Sequence, residues 1–182
     1  MKYETLNIPG MAVMHHVAFE DKRGYFAEIF RDDEFRKVVA DVSFVQDNSS
    51  GSCMGCLRGL HYQIKQSQGK LVRVTRGTVF DVGVDLRRSS PTFGQWAGRV
   101  LSEEKREMLW IPPGFAHGFY VMSEFAEFCY KCTDYYVLEH ERTIAWDDPD
   151  IGIKWPLVDG QPPLLSERDQ NGVAFKRAEV FI

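Results

Sequence analysis

Along much of the chain, apolar and polar residues alternate with a period of two, the pattern of strands that bury one face. Leu71-Val72-Arg73-Val74-Thr75-Arg76 is one such run; Gly77 interrupts it, and the alternation resumes from Thr78 to Leu86. After a turn at Ser89-Ser90-Pro91-Thr92, strands are predicted over 95–101, 107–111 and 118–122, with Pro112-Pro113-Gly114 as a further turn. Another strand is predicted over 125–136. Helical periodicity is scarce. Asp32 to Ala40 carries its acids early and its bases late, as a helix dipole prefers, and a turn or two is expected after Asp169. Asp21 to Phe26 reads as a turn by composition. Short strands with regular Gly/Pro punctuation predict an all-β fold, an antiparallel jelly-roll sandwich with a few short peripheral helices. No repeat or linker divides the chain, so a single domain is expected over 1–182.

Composition narrows the function classes. A chain of 182 residues buries roughly 70% of its unfolded surface, and 44% apolar with 26% charged residues excludes general disorder. Aromatics at 13%, beside 15 Gly and 8 Pro, fit a sandwich better than a helix bundle. The net charge of −4 argues against a nucleic-acid partner while leaving room for a local basic pocket. No run reaches the roughly 18 apolar residues of a membrane span, and Met1 to Leu6 lacks a secretory pattern, so a cytoplasmic location is expected. The cysteines form two pairs, Cys53/Cys56 and Cys129/Cys132. Two CxxC knuckles resemble a zinc site, but the pairs lie far apart. Residues three apart on a strand also point to opposite faces. Reduced, mostly buried thiols are expected instead.

Three groups carry candidate chemistry. Arg58, His61 and Lys70 concentrate positive charge in one short stretch, which suits an anionic substrate, and histidine suits proton abstraction near neutrality. A lone strand histidine is nonetheless more often structural than catalytic. Pro112-x-Gly114-x-x-His117 resembles the second motif of the cupin superfamily, in which the histidine often binds metal. The first cupin motif needs His-x-His and an acid, whereas His61-Tyr62-Gln63 is followed by Ile64-Lys65-Gln66. A metal-free cupin is the reading that follows. Tyr130, Tyr135, Tyr136 and Trp146 read as core or rim aromatics, with a base-stacking role open to the exposed ones.

The segments taken together resemble the dTDP-4-dehydrorhamnose 3,5-epimerase family. The likeness runs through Asp21 to Phe26, Gln46-Asp47-Asn48, Leu57 to Gln63, Gln68 to Arg73, Asp85-Leu86-Arg87 and Ser90 to Gly94. It continues through Leu109 to Phe119, Tyr130-Lys131, Tyr135-Tyr136, Trp146 to Pro149, Ile151 to Pro156 and Leu165 to Asp169. The resemblance implies a homodimeric, metal-free and cofactor-free cupin acting on a dTDP-linked 4-keto-6-deoxyhexose. It implies His61 as base, Asp169 as its orienting acid, Tyr130 as proton donor and Lys70 beside the enolate oxygen. Arg23, Arg58 and His117 match diphosphate and nucleotide contacts, with Glu28, Gln46, Asp47 and Asn48 beside them. Tyr136 matches the aromatic stacked on thymine, and Glu141 and Arg168 match outer contacts. The chain departs from the family pattern at Ser49-Ser50 and over Gly51 to Cys56. Two other readings stay open: a single-centre epimerase of another keto-deoxysugar, and a cupin that binds a nucleotide sugar without turnover. Strict alternation also sets Arg58 and His61 on opposite faces. Either Gly59 bulges the strand, or some site residues complete a partner subunit's site.

Overall fold

The computed structural model describes residues 2–182. In chain order the elements are β1 (Lys2–Thr5), β2 (Ala12–His15), β3 (Ala18–Asp21), β4 (Gly24–Ala27), α1 (Asp32–Val38) and β5 (Gln46–Cys53). There follow β6 (Leu57–Gln63), β7 (Lys70–Arg76), β8 (Thr78–Asp85), β9 (Trp96–Ser102) and β10 (Met108–Ile111). The last are β11 (Phe115–Val121), β12 (Phe125–Cys132), β13 (Glu141–Thr143) and the single turn α2 (Glu167–Gln170). One sheet has the order β1-β2-β10-β7-β12-β5, a second β13-β6-β11-β8-β9, and β3-β4 stands apart as a two-stranded ribbon. All these pairings are antiparallel. This is the jelly-roll sandwich the alternation predicts, of the cupin type. No helix among the described residues is long and apolar enough to cross a membrane.

The inward residues of both sheets interdigitate. Val72 and Val74 of β7, Leu109 and Ile111 of β10, and Phe128 of β12 meet Val79 of β8 and Phe115, Phe119 and Val121 of β11. Phe119 and Phe128 stack across the sandwich with centroids 4.2 Å apart, closing it beneath the cleft described below. Val82, Val84 and Leu86 face outward from the second sheet, yet they are buried because the chain after β13 returns over them with Ile151, Trp155 and Phe181. Helix α1 buries Phe35 against Met14, Leu71 and Trp110 on the outer face of the first sheet.

Three expectations are corrected. The strand predicted over 125–136 ends at Cys132, where the pairing with β5 and β7 runs out, and Tyr135 and Tyr136 lie in the following loop. Asp21 to Phe26 is more than a turn: only Lys22 and Arg23 turn the chain, while Asp21 ends β3 and Gly24 to Phe26 belong to β4, which pairs with it. Of the four free thiols only Cys132 is buried; Cys53 is exposed and the others are half-buried.

Candidate active site

A cleft of about 820 Å³ opens between the sheets. Strand β6 supplies Arg58 and His61 to it, and how it does so resolves the alternation problem. The β11–β6 register runs His117↔His61 and then Phe119↔Arg58, so three steps on β6 oppose two on β11. That extra residue is a bulge, and it turns both side chains into the cleft. Gly59 permits it: φ is +139° there, and a Cβ would meet Gly118 Cα at 2.6 Å.

His61 Nε2 lies 2.6 Å from Asp169 Oδ1 on α2. Asp169 is buried and also accepts the Gly59 N–H on Oδ1 and the Ser166 hydroxyl on Oδ2. Burial pushes the carboxyl up. The hydrogen bonds from His61 and Ser166, the His61 charge and the Gly59 N–H outweigh burial and hold it below the usual range. An ionised carboxylate only accepts, so Nε2 is the nitrogen that carries the proton, and in the neutral ring the lone pair is on Nδ1. A histidine so arranged can accept a proton on Nδ1.

Tyr130 and Cys132 project from β12 into the same cleft, while Cys129 lines a groove on the other side of the sheet. The two thiols of this pair thus diverge. Among the described residues the Tyr130 hydroxyl has no hydrogen-bond partner, and burial raises its pKa above the usual phenol value. It therefore stays protonated near neutral pH. Lys70 Nζ sits 5.9 Å from the Tyr130 ring centroid. Desolvation pushes the ammonium below its usual range, against the pull of Cys132, Asp81 and Glu141. No carboxylate among the described residues bonds it, so its charge is available to an anion in the cleft.

His117 is cross-strand from His61, and its Nε2 meets both oxygens of Asp81 at 3.0 and 3.2 Å. Desolvation lowers its pKa, against the attraction of Asp81. Asp81 carries no assignment from the sequence, although a carboxylate inside an apolar strand is itself a signal. No three His, Cys, Asp or Glu side chains among the described residues converge as a metal-binding set.

The remaining residues divide. Gln46 and Asn48 line the cleft from the edge strand β5, and Gln46 Oε1 accepts the Tyr136 N–H at 2.9 Å. Tyr136 donates to Glu141 Oε2 at 2.8 Å, and Arg168 pairs with the same oxygen, so the three form one rim cluster. Asp47 points the other way and pairs with Lys131 at 3.0 Å. Arg23 and Glu28 do not line the cleft of their own chain. Arg23 sits at the tip of the β3–β4 ribbon, bonded to Asp21. Glu28 follows β4.

A histidine bonded to a buried carboxylate shares the cleft with a phenol and an ammonium that have no partner among the described residues. That is the equipment of an isomerase that moves a carbon-bound proton beside a carbonyl, built on a cupin jelly roll. Known proteins narrow the class. The family model of dTDP-4-dehydrorhamnose 3,5-epimerase matches residues 5–177, and the chain belongs to that family. It is 56% identical over 182 residues to the dTDP-4-dehydrorhamnose 3,5-epimerase of Pseudomonas aeruginosa, covering 100% of this chain and 99% of that one. The crystal structure of the dTDP-6-deoxy-D-glucose-3,5-epimerase of Legionella pneumophila, in complex with dTDP-4-keto-L-rhamnose, has a TM-score of 0.94. Identity is 46%, covering 98% of this chain and 94% of that one. A 3'-monoepimerase from Streptomyces bikiniensis, in complex with dTDP-quinovose, has a TM-score of 0.86 at 35% identity, covering 93% and 85%.

Proposed function

We propose that this cleft epimerises C3 and C5 of dTDP-4-dehydro-6-deoxy-D-glucose, giving dTDP-4-dehydro-L-rhamnose. The C4 ketone acidifies the C–H bonds on either side of it. His61 Nδ1 takes each proton, and Asp169 stabilises the imidazolium that results. Lys70 holds the negative charge that moves onto the C4 oxygen. Tyr130 returns a proton to carbon from the opposite face, inverting the centre, and exchange with solvent takes the proton from His61 and restores that of Tyr130 before the second inversion. The observation that carries this reading is the convergence of the His61–Asp169 pair with the unpartnered Tyr130 hydroxyl and the unpaired Lys70 ammonium.

Arg58 and His117 are proposed for the diphosphate, Gln46 and Asn48 for the nucleotide, and Tyr136 for stacking on thymine at the rim that Glu141 and Arg168 hold. The protein is proposed to act as a homodimer in which the β3–β4 ribbon reaches the partner's cleft with Arg23 and Glu28. Supporting this, both residues lie outside their own cleft, and the ribbon leaves Phe19 68% and Phe26 71% exposed. Asp47 then acts by holding Lys131 beside Phe30 rather than by touching the nucleotide.

NMR of the products from the keto sugar tests the reaction. The L-configured 4-keto sugar is expected. A product inverted at one carbon makes the protein a single-centre epimerase, and tight binding without turnover makes it a binding module.

A further inference from the structure

The carboxylate that orients the base is itself held by a group with no assigned role. Ser166 caps α2: its Oγ accepts the Asp169 backbone N–H at 3.2 Å and donates to Asp169 Oδ2 at 2.6 Å. The other oxygen, Oδ1, receives His61 at 2.6 Å and the Gly59 N–H at 3.2 Å. Strand β6 therefore pins one carboxylate oxygen and the Ser166 hydroxyl pins the other. The torsion that turns a carboxylate plane is soft, so bonds on one oxygen alone leave that plane free to swing. Asp169 is only 3% exposed with the exposed Ser166 side chain beside it, and a water entering in place of that side chain would hold Oδ2 less firmly than a hydroxyl anchored to the backbone. Among the described residues the His61 ring has a single hydrogen bond, to this carboxylate, so the aim of its Nδ1 depends on where that plane lies.

We infer that Ser166 is a positioning residue for the epimerisation: its hydroxyl fixes the Asp169 carboxylate plane and, through it, the direction of the His61 lone pair. The inference rests on the proposed role of His61 as base. The competing role is a plain helix cap, and the two separate by substitution. Glycine retains most of the capping value of serine but has no hydroxyl, whereas threonine keeps both.

The full chain carrying Ser166→Gly, Ser166→Thr or Ser166→Ala is assayed for kcat, KM and thermal midpoint. Ser166→Gly and Ser166→Ala are each expected to lower kcat about ten-fold, the loss of one hydrogen bond to a charged group, with KM within about two-fold and the midpoint lowered by a few degrees because a buried carboxylate oxygen loses its partner. Ser166→Thr recovers kcat to within about three-fold of the parent, the exposed position leaving room for the methyl. In an Asp169→Ala background, Ser166→Gly has no further effect on residual turnover, since no carboxylate remains to be oriented. Wild-type kcat in Ser166→Gly, equal fold-losses in both backgrounds, or a Ser166→Gly chain that does not fold would each overturn the inference. A wild-type chain that turns over no keto sugar overturns the proposed reaction instead.

Discussion

Replacing Asp169 by asparagine separates two things that a carboxylate does for a histidine base, namely setting its tautomer and stabilising its cation. The neighbours of Asp169 dictate how an amide would sit. At the Oδ1 position the Gly59 N–H is a fixed donor, 3.2 Å away, which selects the amide oxygen. At Oδ2 the Ser166 hydroxyl accepts as readily as it donates, so the amide NH₂ fits there. The oxygen then still receives His61 Nε2–H, the tautomer is retained, and only the charge is lost. Two unit charges about 4 Å apart at a partly exposed site attract by ~4 kcal/mol, and a proton about half transferred draws on about half of that. The expected loss in kcat is ~2 kcal/mol, or roughly 30-fold. His61→Ala, which leaves no base, should cost roughly 10⁴-fold or more. The assay is initial-rate NMR of product formation at saturating substrate, with both variants beside the parent. A loss in Asp169→Asn as large as that in His61→Ala would mean that the amide had turned its NH₂ toward Nε2, selecting the tautomer with its proton on Nδ1. The argument from Gly59 and Ser166 would then be wrong.

Tyr130→Phe removes one hydroxyl and keeps the ring that packs beside Phe128. Substrate should take up solvent deuterium with its configuration retained while inverted product falls sharply, and near-normal inversion would assign the opposite-face donor elsewhere. Mixing Arg23→Ala chains with His61→Ala chains should restore activity, because one cleft of each mixed dimer combines an intact base with an intact ribbon; no recovery would place Arg23 outside the partner's cleft. Asp85, fully buried and bonded by Arg87, Ser90 and Thr92, has its pKa lowered to about 2 although burial alone would raise it. Its folded value lies below its unfolded one, so it contributes about 2 kcal/mol above about pH 4, and that contribution is lost as the pH falls toward about 2. Denaturant midpoints against pH should therefore show a shallower acid limb for Asp85→Asn than for the parent, and parallel limbs would contradict this.

The strands that alternate were legible because they bury one face: β7 and β9 fall within a residue of where the pattern puts them. Strand β5 was not, because Gln46-Asp47-Asn48-Ser49-Ser50-Gly51-Ser52-Cys53 has almost no apolar residue to set a period. It is an edge strand held by β12, and Gly51 lies under the Phe125 ring, a fit that only the pairing reveals. Strand β2 failed for the opposite reason, as Ala12, Val13 and Met14 are all buried and show no alternation. Among site residues, charge clustering and residue type singled out Arg58, His61 and Lys70, and the resemblance added Asp169 and the donor role of Tyr130, but the bulge that brings Arg58 round to them is a property of the β11–β6 register. Asp81 gains its role only from His117 on the neighbouring strand, a contact that no local pattern records.

The most direct measurement is turnover of dTDP-4-dehydro-6-deoxy-D-glucose in deuterated water, with the label located by NMR on product trapped at partial conversion. Each inversion through an enolate exchanges its carbon-bound hydrogen with solvent. Deuterium at both C3 and C5 of an L-configured product is the predicted result, abolished by His61→Ala. Label at C3 alone, or inversion without label, would contradict a double epimerisation driven by one base in this cleft.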